Sequence, residues 1–114
     1  MKNTPERILI VDDEAMIRKL LLQRLSREGY RCEEADSAVE ALDSLSRYPA
    51  ELVILDVKMP GKSGADLLPE LKALYPDTAV LMATALVDVN LAIQCMRQGA
   101  YDYIAKPFNL DLVI

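Results

Sequence analysis

Histidine is absent from this sequence. That one gap removes imidazole general acid–base catalysis, His-ligated metals and every His-containing catalytic triad. Tryptophan is missing too, and aromatic residues make up only 5% of the chain. Any core must therefore be built from aliphatic side chains. Only two cysteines occur, Cys32 and Cys95, with no CxxC spacing; they read as reduced core thiols rather than a disulfide or a metal site. Nothing resembles a signal peptide or a lipid-spanning apolar run of about 20 residues, so the chain is expected to be cytoplasmic and away from membranes. Basic residues are outnumbered, 13 against 18 acidic ones, for a formal charge of −5. Phosphate backbones are gripped by clustered Lys and Arg. Direct nucleic-acid binding by this unit is accordingly not expected.

What is present suits one domain. The chain has 114 residues, 52% of them hydrophobic, and a globule of that length buries roughly 65% of its unfolded surface. Short apolar runs alternate with helical patterns throughout. Arg7–Val11 (RILIV) reads as a strand buried on both faces. Ala15–Glu28 follows as a helix with a stripe of Ile17, Leu20, Leu21 and Leu25, ended by Gly29. Tyr30–Ala35, with Glu33 and Glu34, reads as an edge strand. Ser37 is placed to cap the next helix, Glu40 completes a capping box, and Val39, Leu42 and Leu45 form its stripe. Leu52–Leu55 is a third strand that runs straight into Asp56.

Ser63–Leu74 reads as a helix stopped by Pro76, although Pro69 inside it conflicts with that assignment. Ala79–Ala83 is a fourth strand, Val89–Gln98 a helix and Tyr101–Ala105 a fifth strand. Asn109 is the cap for a helix beginning at Leu110, only about a turn of which is present. The expectation is that the fifth helix is truncated and that an output domain follows in the parent protein, with residues 1–114 forming a single unit. The repeated βα rhythm calls for parallel strands, right-handed crossovers and helices on both faces.

In an open parallel sheet, ligands bind beyond the carboxyl ends of the strands. Those ends carry Asp12 and Asp13 after the first strand, Asp56 after the third, Thr84 after the fourth and Lys106 after the fifth. Alone, each has a bland explanation: an Asp pair after a strand is more often a helix cap, and Asp before a turn is a common loop residue. Together they put three carboxylates, a hydroxyl and an ammonium on one rim. Carboxylates about 4 Å apart repel by roughly 4 kcal/mol per pair at an effective dielectric near 20. Such crowding recruits a cation or protons, and hard oxygen ligands suit Mg²⁺. Lys106 offers a positive charge to an anion beside the metal. Gly61-Lys62-Ser63 mimics the end of a P-loop, but that motif needs glycine where Asp56 stands. Lys62 reads instead as an exposed turn residue and Ser63 as a helix cap.

The runs ILIVDDE (8–14), LVILDVKMPGKSG (52–64), MATA (82–85) and GAYDYIAKPF (99–108) resemble the receiver domains of bacterial two-component response regulators, and the resemblance spans nearly the whole chain. It implies a flavodoxin-like, doubly wound, five-stranded parallel sheet of order 2-1-3-4-5. It implies that Asp56 is the phosphoacceptor and that Asp12, Asp13, Asp56 and the Lys58 backbone carbonyl hold Mg²⁺. By the same resemblance, Lys106, Thr84 and the Ala85 amide bind the phosphoryl group, and Thr84 and Tyr103 act as the switch pair. A histidine kinase would be the donor. The face formed by the fourth helix, fifth strand and fifth helix would engage an output domain or support a homodimer. The domain would catalyse only its own phosphorylation and dephosphorylation.

Two other classes compete. An Asp-nucleophile phosphohydrolase would carry a second Asp two residues after the nucleophile, where this chain has Lys58. A phosphorylation-independent interaction module would have no need of an intact acidic rim. Lys58 and Leu86 lie two residues beyond Asp56 and Thr84, positions that can reach an attacking water. Leu86 cannot orient water, so a phospho-state lasting minutes or longer is expected.

Overall fold

The computed structural model describes residues 6–57, 59, 61–84 and 89–105, with side chains for all of these except 84, 89–92 and 103–105. The order is β1 (Arg7–Val11), α1 (Ala15–Arg27), β2 (Arg31–Ala35), α2 (Ala38–Arg47), β3 (Leu52–Asp56), α3 (Gly64–Leu74), β4 (Ala79–Thr84), α4 (Val89–Arg97) and β5 (Asp102–Ala105). The five strands form one parallel sheet, as the βα rhythm calls for, in the order β2-β1-β3-β4-β5 that the resemblance implies. The helix anticipated from Leu110 lies outside the described residues.

Alternation along the strands splits the core into two layers. Leu9, Val11, Val53, Leu55, Val80 and Met82 face one side, with Leu45 of α2, Leu67, Leu68 and Leu71 of α3, and Cys95 of α4. Ile8, Ile10, Ile54 and Leu81 face the other side, with Leu21 and Leu25 of α1. This is the period-2 geometry of a strand covered on both faces, and it explains why these strands read as continuous apolar runs.

Helix ends follow local chemistry. Ser37 and Ser63 each accept a hydrogen bond from the backbone N–H three residues on, Glu40 and Asp66 respectively, and Glu40 Oε1 accepts one from the Asp36 amide. Gly29, Gly61 and Gly99 are the described residues with positive φ, and Gly29 and Gly99 sit just past α1 and α4, where glycine closes a helix without a Cβ penalty.

The helix expected across Pro69 forms, and α3 runs through that residue. An interior proline costs about 3 kcal/mol, but burying Leu67, Leu68 and Leu71 returns roughly 1.5–3 kcal/mol each. Val39 is not part of the buried stripe of α2; it is 79% exposed, and Ala38, Ala41 and Leu45 face inward instead. Leu20 likewise lies on the outer face of α1, leaving Leu21 and Leu25 as the buried anchors. Cys95 is a buried free thiol, as expected of a core cysteine, whereas Cys32 is only half-buried.

Candidate functional site: an acidic rim at the carboxyl ends of the strands

The register decides which side chains share the rim. Val11 pairs with Leu55 across β1 and β3, so Asp12 and Asp56 are the next residues on adjacent strands. Asp56 pairs with Ala83, and Thr84 with Ala105. The Val57 amide donates to the Ala83 carbonyl at 2.8 Å, carrying the β3–β4 ladder one step past Asp56. Parallel pairing thus sets the ends of β1, β3, β4 and β5 along one edge.

Asp12, Asp13 and Asp56 come together there. Each offers a carboxylate oxygen, and these atoms all lie within 4.8 Å of one another. Asp12 is 2% and Asp56 5% exposed, whereas Asp13 is exposed. Two nearly buried carboxylates beside a solvent-facing third make a half-open cup of oxygen donors. That donor set fits a hard divalent cation, which lowers the mutual repulsion and leaves room for water on the Asp13 side. Sulfur and imidazole ligands are lacking at this cluster, which argues against softer metals.

The backbone around the cup is tied down. The Asp12 amide donates to the Ala35 carbonyl at 3.1 Å, and the Glu14 amide donates to Asp12 Oδ1 at 2.9 Å. On the Asp56 side, the Gly64 amide donates to the Val57 carbonyl at 2.9 Å, drawing the start of α3 against the end of β3. A Cβ built on Gly64 would lie 2.8 Å from the Asp56 carbonyl carbon, closer still to its oxygen, and 3.1 Å from Leu55 Cγ. Only glycine fits that approach. Lys62 pairs with Glu70 of α3, a surface role consistent with its expected place in a turn.

Of the residues expected at the site, Asp12, Asp13 and Asp56 are gathered, and Thr84 ends β4 beside them in register. Tyr103 lies in β5, paired with Met82. Lys58, Ala85 and Lys106 fall outside the described residues. One contributor was missed from sequence: Gly64, whose signal was a glycine directly after a helix cap.

This arrangement agrees with a family comparison. The family model described as the response regulator receiver domain matches residues 8–114. The chain belongs to that family. The receiver is 38% identical over 107 residues to the C4-dicarboxylate transport transcriptional regulatory protein DctD of Rhizobium meliloti, covering 94% of this chain and 23% of that protein. It is 36% identical over 106 residues to sporulation initiation phosphotransferase F of Bacillus subtilis, covering 93% of this chain and 86% of that protein. A crystal structure of a response regulator from Burkholderia pseudomallei with a phosphorylated aspartic acid, calcium ion and citrate superposes on the receiver with a TM-score of 0.90 at 30% identity, covering 95% of this chain and 64% of that one. The receiver therefore spans about a quarter of the length of DctD but most of phosphotransferase F. No helix among its described residues is long and apolar enough to cross a membrane.

Proposed function

We propose that this receiver takes a phosphoryl group from a partner histidine kinase onto Asp56, with Mg²⁺ held by Asp12, Asp13, Asp56 and the Lys58 carbonyl. A carboxylate oxygen of Asp56 attacks phosphorus, one P–O bond forms, the P–N bond of the phosphohistidine breaks, and its electron pair returns to the imidazole. Carboxylates are ionised at neutral pH, so the nucleophile needs no general base. Mg²⁺ supplies charge neutralisation at the crowded oxygens. Phosphoryl transfer passes through a loose transition state, so alignment and charge stabilisation carry the rate.

Lys106, Thr84 and the Ala85 amide hold the phosphoryl oxygens. Thr84 and Tyr103 then relay the change to the α4–β5 side. There, Ile93 and Met96 on α4 and Tyr101 before β5 are already exposed, which supports that face, with the fifth helix, as the contact for an output domain or a second copy of the receiver. Residues 1–114 act as the single regulatory unit, in the cytoplasm, and turn over no external substrate.

The observation that carries this reading is the convergence of three carboxylates within 4.8 Å at the ends of β1 and β3. The test is incubation with acetyl phosphate and Mg²⁺, followed by intact-mass measurement. A stable adduct of one phosphoryl group, lost in Asp56→Asn and without chelator-free Mg²⁺, is expected. Continuous phosphate release with turnover would instead identify a hydrolase. A chain that forms no adduct would be an interaction module.

A further inference from the structure

Arg18 lies in the first turns of α1 and reaches back over the acidic rim. Its Nη1 donates to the backbone carbonyl of Asp12 at 2.8 Å, and its Nε donates to Glu34 Oε1 on β2 at 3.1 Å. Both partners of that ion pair are largely shielded, with side-chain exposures of 16% and 28%. The same short segment is held from three other directions. Asp12 N–H is bonded to Ala35 O, Glu14 N–H to Asp12 Oδ1, and Arg18 N–H to Glu14 O. Arg18 thus closes a ring through β2, the β1–α1 turn and α1, and Asp12 is the residue at its centre.

We infer that Arg18 is a positioning residue for the divalent-cation site, fixing the Asp12 carboxylate by clamping its own backbone carbonyl while Glu34 holds the guanidinium in place. The inference rests on the cation-site reading given above and deepens it. The planar guanidinium serves the carboxylate from Nε and the carbonyl from Nη1, a fixed span between two nitrogens that the single nitrogen of an ammonium does not reproduce. Glu34 also supplies an opposite charge beside the guanidinium, so that the clamp adds little net positive charge next to a site that must attract a dication.

Two roles for Arg18 predict opposite signs. A bare positive charge beside the carboxylates competes with the metal, so its removal tightens metal binding. A positioning residue organises a ligand, so its removal weakens binding. Partners that orient metal ligands cost about 10–100-fold in affinity when mutated.

The test is direct titration with Mn²⁺, followed by the EPR signal of the free ion, at fixed ionic strength and at a temperature where circular dichroism shows every variant folded. Arg18→Ala is expected to bind Mn²⁺ about tenfold more weakly than wild type. Glu34→Gln is expected to weaken it as well, because the guanidinium is then both unanchored and uncompensated. Arg18→Lys retains the charge but not the two-pronged span, and is expected to stay within roughly threefold of the alanine variant.

Unchanged or tighter Mn²⁺ binding in Arg18→Ala overturns the inference, as does full recovery in Arg18→Lys. A lowered melting temperature with unaltered Mn²⁺ affinity also overturns it, because that is the mark of a merely structural residue. Failure of the phosphotransfer reading is seen separately, as the absence of an Asp56-dependent adduct in wild type, whereas the Mn²⁺ titration reads the clamp without any phosphoryl donor.

Discussion

Replacing Gly64 with alanine sets two effects against each other, and the structure says which one wins. Alanine is the better helix former by about 0.5–1 kcal/mol, so a propensity argument alone expects a more stable chain. The added methyl, however, would sit 2.8 Å from the Asp56 carbonyl carbon, against a comfortable carbon separation of roughly 3.5–4 Å. The obstructing atoms are backbone at the end of a central strand, so they cannot rotate away. Either α3 moves out or the end of β3 moves in, and overpacking of this kind costs about 1–3 kcal/mol.

Since the native Gly64 amide is bonded to the Val57 carbonyl, the shift also strains the joint between β3 and α3. A net loss of about 1–2 kcal/mol follows, which at this chain length lowers the melting temperature by roughly 5–10 °C. The same displacement moves Asp56 relative to Asp12 and Asp13, and misplacement of about 1 Å is enough to cost up to 100-fold in rate. Thermal melting and the rate of labelling by acetyl phosphate, measured on the same preparation, form the assay. A variant with an equal or higher melting temperature and an unchanged labelling rate would refute the close-approach argument.

Other perturbations have equally definite outcomes. Thr78 donates its hydroxyl to the buried Ala50 carbonyl at 2.8 Å; Thr78→Val removes the donor and should lower the urea midpoint by an amount corresponding to about 1–3 kcal/mol with no change in m. Burial holds the thiols of Cys32 and Cys95 above their ordinary value of 9.0, with the Ser26 hydrogen bond partly opposing this at Cys32. Below that value both thiols are neutral in folded and unfolded chains; above it the unfolded chain ionises first. Stability should therefore be independent of these groups at neutral pH and fall as pH rises past 9.0, by a smaller slope in Cys95→Ala. Native Cys95 should also resist a thiol-specific reagent at pH 8 while the half-buried Cys32 reacts slowly. The phospho-adduct, with Leu86 unable to orient water, should persist for minutes in the isolated chain, and loss within a few seconds would contradict that reading.

The strand ends were legible because residue order, parallel topology and the carboxyl-end rule together determine which side chains can meet. Asp12 and Asp56, each directly after an expected strand, meet by that rule. Helix facing was less legible. Val39 looks like a core residue by type, but α2 lies close to the sheet and turns Ala38 and Ala41 inward, so small side chains take the places expected for larger ones. Rotation of a helix about its axis is set by the surface it packs on, and the helix's own apolar residues only bias it. The Arg18 clamp was invisible for a related reason. Its partners are a backbone carbonyl, which has no letter in the sequence, and Glu34, a residue 16 positions away on another element. Gly64 left a faint mark, a glycine directly after a serine cap, but its necessity lies in a distance to another strand.

The acidic and basic residues of β2 have a second consequence. That strand ends the sheet, so one side of its peptide groups faces no neighbouring strand among the described residues. A flat apolar ribbon in that place would invite another chain to dock alongside and propagate into fibrils. Arg31, Glu33 and Glu34 interrupt β2 with charge of both signs, and two of them are already engaged inward, by Arg7 and by Arg18. Neutralising Glu33 and Glu34 together would remove these gatekeepers, leaving a chain that folds correctly yet clumps on storage.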